Sequence, residues 1–230
     1  MGNIALVIAP HPDDAEIGMG GTIAALVAQG VRIVLLDLSD GEPTPHGSTA
    51  IRITEARAAS SILGAQERIF LDLKNRAIFD CVETRNKVAN VIRRVKPTVV
   101  FSPYWEDAHP DHTQASQLID GARFYAKFVK SDLEHEPWYP RKQFYFFSTH
   151  LRVAVQPSFI FDISAHLEQK MESIAAYDSQ FGSHTTNATR ISQIRSEARY
   201  WGMQIGTDAG EPFVCRENIR VASHEALFGL

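Results

Sequence analysis

Three observations predict an α/β fold for this chain, a Rossmann-like three-layer sandwich with a mostly parallel sheet. Continuous apolar runs, Ile4 to Ala9 foremost, have the composition of strands buried on both faces. Helix-period patterns follow those runs, so strand and helix alternate along the chain. Two clusters, His11-Pro12-Asp13-Asp14 and His109-Pro110-Asp111-His112, both stand where a strand hands over to a helix. In an open α/β sheet ligands bind outside the carboxyl ends of the strands, and the active site is expected at that edge.

Composition bounds the rest. The 230 residues are 44% hydrophobic and 22% charged, ordinary for a globular chain with a real core. A single domain spanning 1–230 is expected. A net charge of −4 offers no electrostatic footprint for nucleic acid or an anionic membrane. Cys81 and Cys215 are too few for a disulfide framework and are not spaced like a zinc knuckle, which predicts a reducing cytoplasm. The first strand begins by the fourth residue without a basic-then-apolar leader, and no apolar run approaches the roughly 18 residues of a membrane span.

Taken in order, Gly18-Met19-Gly20-Gly21 leads into a helical pattern from Thr22 to Ala28 that stops at Gly30. Val31 to Leu38 is the second strand. Glu42 to Ser48, rich in Gly and Pro, leaves the same sheet edge and is a candidate lid. Its His46 is the one remaining histidine expected near that edge. A helix from Thr49 to Leu63 closes at Gly64, Arg68 to Leu71 is a short strand, and Glu83 to Val95 is a helix that Pro97 ends. Thr98 to Phe101 is the strand before the second cluster, and the next helix begins near Thr113. Lys127 to Lys142 has no period, carries Pro137 and Pro140, and reads as a surface excursion. Gln143 to Ser148 and Phe159 to Ile163 are aromatic and β-branched, hence strands. Ser164 can cap a helix from Ala165 to Tyr177, and a last helix spans Thr189 to Ile205.

The chemistry lies in the two clusters. His-x-x-Asp across a turn and His-x-x-His at a helix entrance each space two ligands so that both can face one ion. His11, Asp14 and His112 would supply two imidazoles and one carboxylate and leave a position for water, the composition of catalytic zinc. Asp13 is left over as a base for that water. His109 is left over on the opposite loop, where in protonated form it could stabilise an oxyanion and then give its proton to a leaving amine. Asp111 can orient an imidazole. Taken singly, each cluster also reads as a capped helix entrance, with Asp13 and Glu16 as an acidic capping box. Gly18-x-Gly20 hints at dinucleotide binding, but the third glycine of that pattern would fall at Ile23.

The run Pro10-His11-Pro12-Asp13-Asp14-Ala15-Glu16-Ile17-Gly18-Met19-Gly20-Gly21-Thr22, together with Pro103-Tyr104-Trp105-Glu106-Asp107-Ala108-His109-Pro110-Asp111-His112, resembles the LmbE/PIG-L family of zinc-dependent N-deacetylases. The resemblance extends through Arg52 to Ala56, Asn75-Arg76, Asp162-Ile163 and Tyr177 to Phe181, and is greatest toward the bacillithiol-pathway branch that acts on N-acetylglucosaminyl malate. It implies a cytoplasmic hydrolase, expected as a homo-oligomer, that frees acetate from an N-acetylglucosamine conjugate. His11, Asp14 and His112 would hold Zn2+, with Fe2+ or another divalent metal as alternatives. Asp13 would be the base, His109 would assist at oxyanion and leaving group, and Arg52 would bind substrate. The Asp40 to His46 loop and Asn75 depart from the malate branch. Asp107 stands where some members have a tyrosine, leaving Tyr104 or Tyr177 as substitutes. Two other classes fit the ligand set alone: a two-His-one-carboxylate iron oxygenase and a non-catalytic metal-binding module. The spare Asp13 base argues against the first, and the second has no use for both Asp13 and His109.

Overall fold

The computed structural model describes residues 3–219. Five parallel strands alternate with helices: β1 (Ile4–Ala9), α1 (Asp14–Ala28), β2 (Arg32–Asp37), α2 (Thr49–Leu63), β3 (Glu67–Phe70), α3 (Val82–Val95), β4 (Val99–Pro103), α4 (Pro110–Tyr125) and β5 (Lys142–Phe146). The chain then adds β6 (Phe159–Asp162), α5 (Leu167–Ala175), the short α6 (Asp178–Phe181), α7 (Arg190–Met203) and β7 (Gly210–Val214). The sheet order is β3-β2-β1-β4-β5-β7-β6, with β7 antiparallel to both its neighbours. The α/β class and the mostly parallel sheet match the sequence expectation.

Apolar residues clothe both faces of the sheet, as its continuous hydrophobic strands require. Leu6, Ile8, Val34 and Leu36 pack with Val88 and Ile92 of α3 and Leu118 and Ile119 of α4. On the other face Val7, Ile33 and Leu35 pack with Met19 and Ile23 of α1. Strand order reverses direction between β1 and β4, which lie side by side. That switch point is where the two clusters leave the sheet.

Several local expectations are corrected. β7, a strand that the sequence reading does not assign, lies inside the sheet; its Pro212 pairs opposite Ile160 next to Phe213, whose carbonyl receives the Ser158 N–H. The helix α1 starts at Asp14 rather than near Thr22, so the glycine run lies within it and the helix is kinked at Met19. The kink is capped from a distance: Glu211 of β7 accepts the N–H groups of Gly21 and Thr22 at 3.0 and 2.7 Å, and Lys170 of α5 pairs with it at 2.5 Å. A side chain at Gly18 would collide with the Phe146 ring and one at Gly21 with Ile163, so close packing demands both glycines. α4 begins at Pro110, a favoured first-turn position for proline, which places Asp111 and His112 in its first turn. Ser164 does not cap α5: it lies in a 3-10 turn and hydrogen-bonds Asp162. The excursion after α4 is tied down by the buried guanidinium of Arg93, which donates to the carbonyls of Ala126, Phe128, Leu133 and His135. Gly64 ends α2 with φ 75, as expected of its C-terminal glycine.

Candidate metal centre and cleft

β1 and β4 deliver their clusters to one point. His11 Nδ1 lies 3.3 Å from Asp14 Oδ2, and His112 Nε2 lies 3.3 Å from the same oxygen. Ligand atoms 2.0–2.2 Å from a tetrahedral ion stand about 3.4 Å apart, so this spacing suits a cation between them. His112 is 1% exposed and its Nε2 makes no hydrogen bond, an orphaned buried nitrogen of the kind a cation would satisfy. The donor set and this orphan both fit a divalent metal.

The candidate ligands are held from behind. Asp111 Oδ2 lies 3.1 Å from His11 Nε2, and Asp111 also accepts the backbone N–H groups of Arg76 and Ile78 at 2.6 and 3.2 Å. Each motif thus steadies the other, since the aspartate of the second cluster orients the histidine of the first. Asp107 does the same for His112, with Oδ2 2.7 Å from Nδ1. Ser148, just after β5, donates to Asp14 Oδ1 at 2.7 Å, while Oδ2 accepts the His11 backbone N–H at 3.1 Å and faces both imidazoles. Carboxylates behind ligating imidazoles fix tautomer and raise basicity. Sequence reasoning assigns neither Asp107 nor Ser148 a place at the site. Asp107 stands two residues before His109, a signal that could have found it, but the turn hides its partner. Ser148 carries no sequence signal.

Electrostatics follow from this packing. Burial would lower His11 and His112, but the carboxylates override it: Asp111 and Asp14 leave His11 at about 9, and Asp14 with Asp107 leaves His112 at about 10. Burial would raise Asp14, but the charges of His112 and His11 hold it well below the carboxylate range. Metal binding here would therefore release protons from the imidazoles. Asp13 differs. Burial pushes it up to about 7 against the opposing charge of Arg52. Its backbone is left-handed, φ 108, and its side chain caps nothing, so the capping-box alternative for Asp13 and Glu16 does not hold. Glu16 turns inward instead, to Arg68 at 2.5 Å and the Tyr177 hydroxyl at 3.0 Å.

His109 caps α4: its Nδ1 accepts the Asp111 N–H at 3.2 Å. Nε2 is consequently the protonated nitrogen of the neutral ring. Burial and the charges of His11 and His112 hold His109 below its ordinary value, so it stands as a neutral N–H donor. Arg52 lines the cleft but is 2% exposed. Its guanidinium donates to the Pro12 carbonyl, lies 3.4 Å from Asp13 Oδ2 and stacks on Tyr177. Tyr104 and Tyr177 are buried and neither lines the cleft. His46 is exposed beside His184, with ring centroids 5.2 Å apart. In the loop that carries it, Glu42 accepts the Thr44 N–H at 2.7 Å, and Gly41, Pro43 and Thr44 line the cleft. The cleft itself has a volume of about 820 Å³ and runs from the candidate cation site past Arg76 and the segment after β5 to α7.

Fold and site together define an α/β protein with a two-histidine, one-carboxylate candidate cation site at the switch point of its sheet. The chain belongs to the GlcNAc-PI de-N-acetylase (PIG-L) family, whose family model matches residues 6–122, a span that contains both clusters. It is 32% identical over 216 residues to a diacetylchitobiose deacetylase of Thermococcus kodakarensis, covering 87% of this chain and 78% of that one. It is 26% identical over 208 residues to a probable N-acetyl-alpha-D-glucosaminyl L-malate deacetylase 2 of Bacillus anthracis, covering 84% and 85%. The crystal structure of a conserved protein from Thermus thermophilus matches with a TM-score of 0.89 and 38% identity, covering 96% of this chain and 98% of that one. The family expectation thus holds, while the malate-conjugate enzyme is the less similar of the two deacetylases compared. Among the described residues no helix is long and apolar enough to cross a membrane.

Proposed function

We propose that this protein is a metal-dependent N-deacetylase of N-acetylglucosamine conjugates, releasing acetate and a free amine. One observation carries the reading beyond family membership. A largely buried carboxyl, Asp13, stands next to a cation-binding set that does not need it as a ligand. A non-catalytic metal module has no use for that carboxylate, and oxygen chemistry gives it no task.

His11, Asp14 and His112 would hold the ion, Zn2+ or another divalent metal. Bound there, it would supply Lewis acidity at the amide carbonyl and lower the pKa of water. Asp13 takes the proton from that water, a role for which a carboxyl titrating close to neutrality is suited. His109, neutral and with Nδ1 engaged, donates its Nε2–H as a hydrogen bond to the developing oxyanion, and Asp13, carrying the proton taken from water, returns it to the leaving amine. Asp111 and Asp107 keep the two imidazoles in register.

The aglycone is the finer question. The family resemblance points Arg52 at a carboxylate such as the malate of the bacillithiol-pathway conjugate. Its burial and its engagement with Pro12 and Asp13 favour a neutral glycoside, with the chitobiose type first. An acidic aglycone would be met instead by Arg76, an exposed arginine of the same wall. The test is release of free amine by the metal-loaded protein from diacetylchitobiose, N-acetylglucosaminyl malate and an N-acetylglucosaminyl inositol. Release from at least one, abolished by chelation and restored by metal, is expected. Silence across the panel with metal bound would sink the deacetylase reading.

A further inference from the structure

β5 runs into the segment 147–158, which reaches β6 along the cleft. Besides the Ser148 contact on Asp14, a second pin fixes this segment to the cation site. The backbone N–H groups of His150 and Leu151 donate to Asp107 Oδ1 at 2.7 and 3.2 Å. The Asp107 side chain is fully buried, and its other oxygen holds His112. One carboxylate therefore sets an imidazole of the site and the backbone that carries His150.

The outcome is a fourth imidazole at the site, beside His11, His109 and His112. The His150 ring centroid lies 5.3 Å from His109 and 5.1 Å from His112, and its side chain is 58% exposed and lines the cleft. Backbone bonds hold it there, while the ring itself makes only a long 3.5 Å approach of Nδ1 to Asp107. Asp107, His112 and His150 could be read as a second cation site. However, His112 Nδ1 already occupies Asp107 at 2.7 Å, and a second ion would have to break the pairing that orients the first. With Nδ1 turned to Asp107, Nε2 of this exposed ring is the nitrogen left for the cleft, and a neutral imidazole can hydrogen-bond a sugar hydroxyl there through that single atom.

Resting on the deacetylase reading above, we propose that His150 is a substrate-binding residue that hydrogen-bonds the sugar 3-hydroxyl, the ring hydroxyl next to the acetamido carbon. The location supports that choice. His109 is the donor expected at the acetamide carbonyl, and His150 is its neighbour on the side facing the cleft. A neutral hydrogen bond in such a site is worth roughly 3- to 10-fold in affinity.

The test uses the metal-loaded protein, an N-acetylglucosamine glycoside and its 3-deoxy analogue, with His150→Ala and His150→Gln. His150→Ala should lose roughly 3- to 10-fold in kcat/KM on the parent, mostly through KM, and should match wild type on the deoxy analogue. His150→Gln, which keeps a donor and an acceptor, should recover part of the loss. Metal content per chain should be unchanged in both variants. Equal losses on the two substrates, a loss confined to kcat, or a loss of bound metal would overturn the assignment. Calorimetric binding of the same two glycosides to wild type and His150→Ala reads the contact without turnover. If turnover is absent but binding differs as expected, only the deacetylase reading fails. If binding of the parent is unchanged by His150→Ala, the contact does not exist.

Discussion

The two clusters have nearly the same spelling and opposite local physics. In the loop after β4, His109 sits at φ −78 in extended conformation and caps α4 through Nδ1. Helix capping thus fixes a catalytic candidate's tautomer at no conformational cost. In the loop after β1, Asp13 sits at φ 108 and caps nothing, an arrangement costing of order 1–3 kcal/mol that the surroundings must hold in place. Arg52 provides that hold by gripping the Pro12 carbonyl beside Asp13. What the first loop gains is a largely buried carboxyl beside the cation site that titrates close to neutrality. The comparison teaches that a motif's spacing selects which atoms meet, while backbone conformation and burial decide what each atom can do.

The largest effect expected from this contrast separates ligands from base. His11→Ala, Asp14→Ala and His112→Ala should each lose tightly bound metal and turnover together, because three protein ligands are the minimum for such a site. Asp13→Asn should keep metal, and keep its fold because asparagine tolerates left-handed backbone, yet lose roughly 10²–10⁴-fold in kcat. Metal analysis beside kcat distinguishes the two sets. Near-normal turnover in metal-loaded Asp13→Asn would remove Asp13 as the base.

The second loop should lose activity and stability together. His109→Ala removes the proposed oxyanion donor, expected to be worth about 10²–10³ in kcat, and a helix cap, worth about 1 kcal/mol. His109→Asn restores the cap and should recover the melting temperature without recovering kcat. Recovery of both would mean that His109 acts only as a cap.

The smallest effect probes the hold on Asp13 through pH. As the proposed base, Asp13 would act as the carboxylate, so kcat/KM should rise as pH climbs through its pKa and fall below it. Before metal binds that value is about 7, and a cation on the adjacent ligands draws the limb lower. Arg52 opposes the upward push of burial, so Arg52→Gln should move the acid limb to higher pH. An Arg52→Lys variant compared on a neutral and a malate glycoside completes the test. Equal losses on both mark Arg52 as a holder of Asp13, whereas a loss confined to the malate conjugate would restore it to substrate binding.

Much of this was legible in the chain. Alternating buried runs and helical patterns determined the parallel core, because period and composition report local burial directly. The spacing of His11, Asp14, His109 and His112, each next to a strand end, was enough to anticipate that they would meet. Where the sequence misled, long-range packing had overridden a local signal. The strand 210–214, which carries Pro212, went unassigned, and the glycine run that looks like a helix lead-in lies inside a kinked helix capped by Glu211. Only the tertiary structure decided that the Arg52 guanidinium, at the cleft wall, is buried against Pro12 and Asp13. Likewise it alone pinned the segment after β5 to the cation site. Those contacts join residues 43 positions apart at Asp107 and His150, 44 at Asp107 and Leu151, and 134 at Asp14 and Ser148. No periodicity or spacing rule reaches across such distances; the sheet order that places β5 beside β4 and β4 beside β1 does.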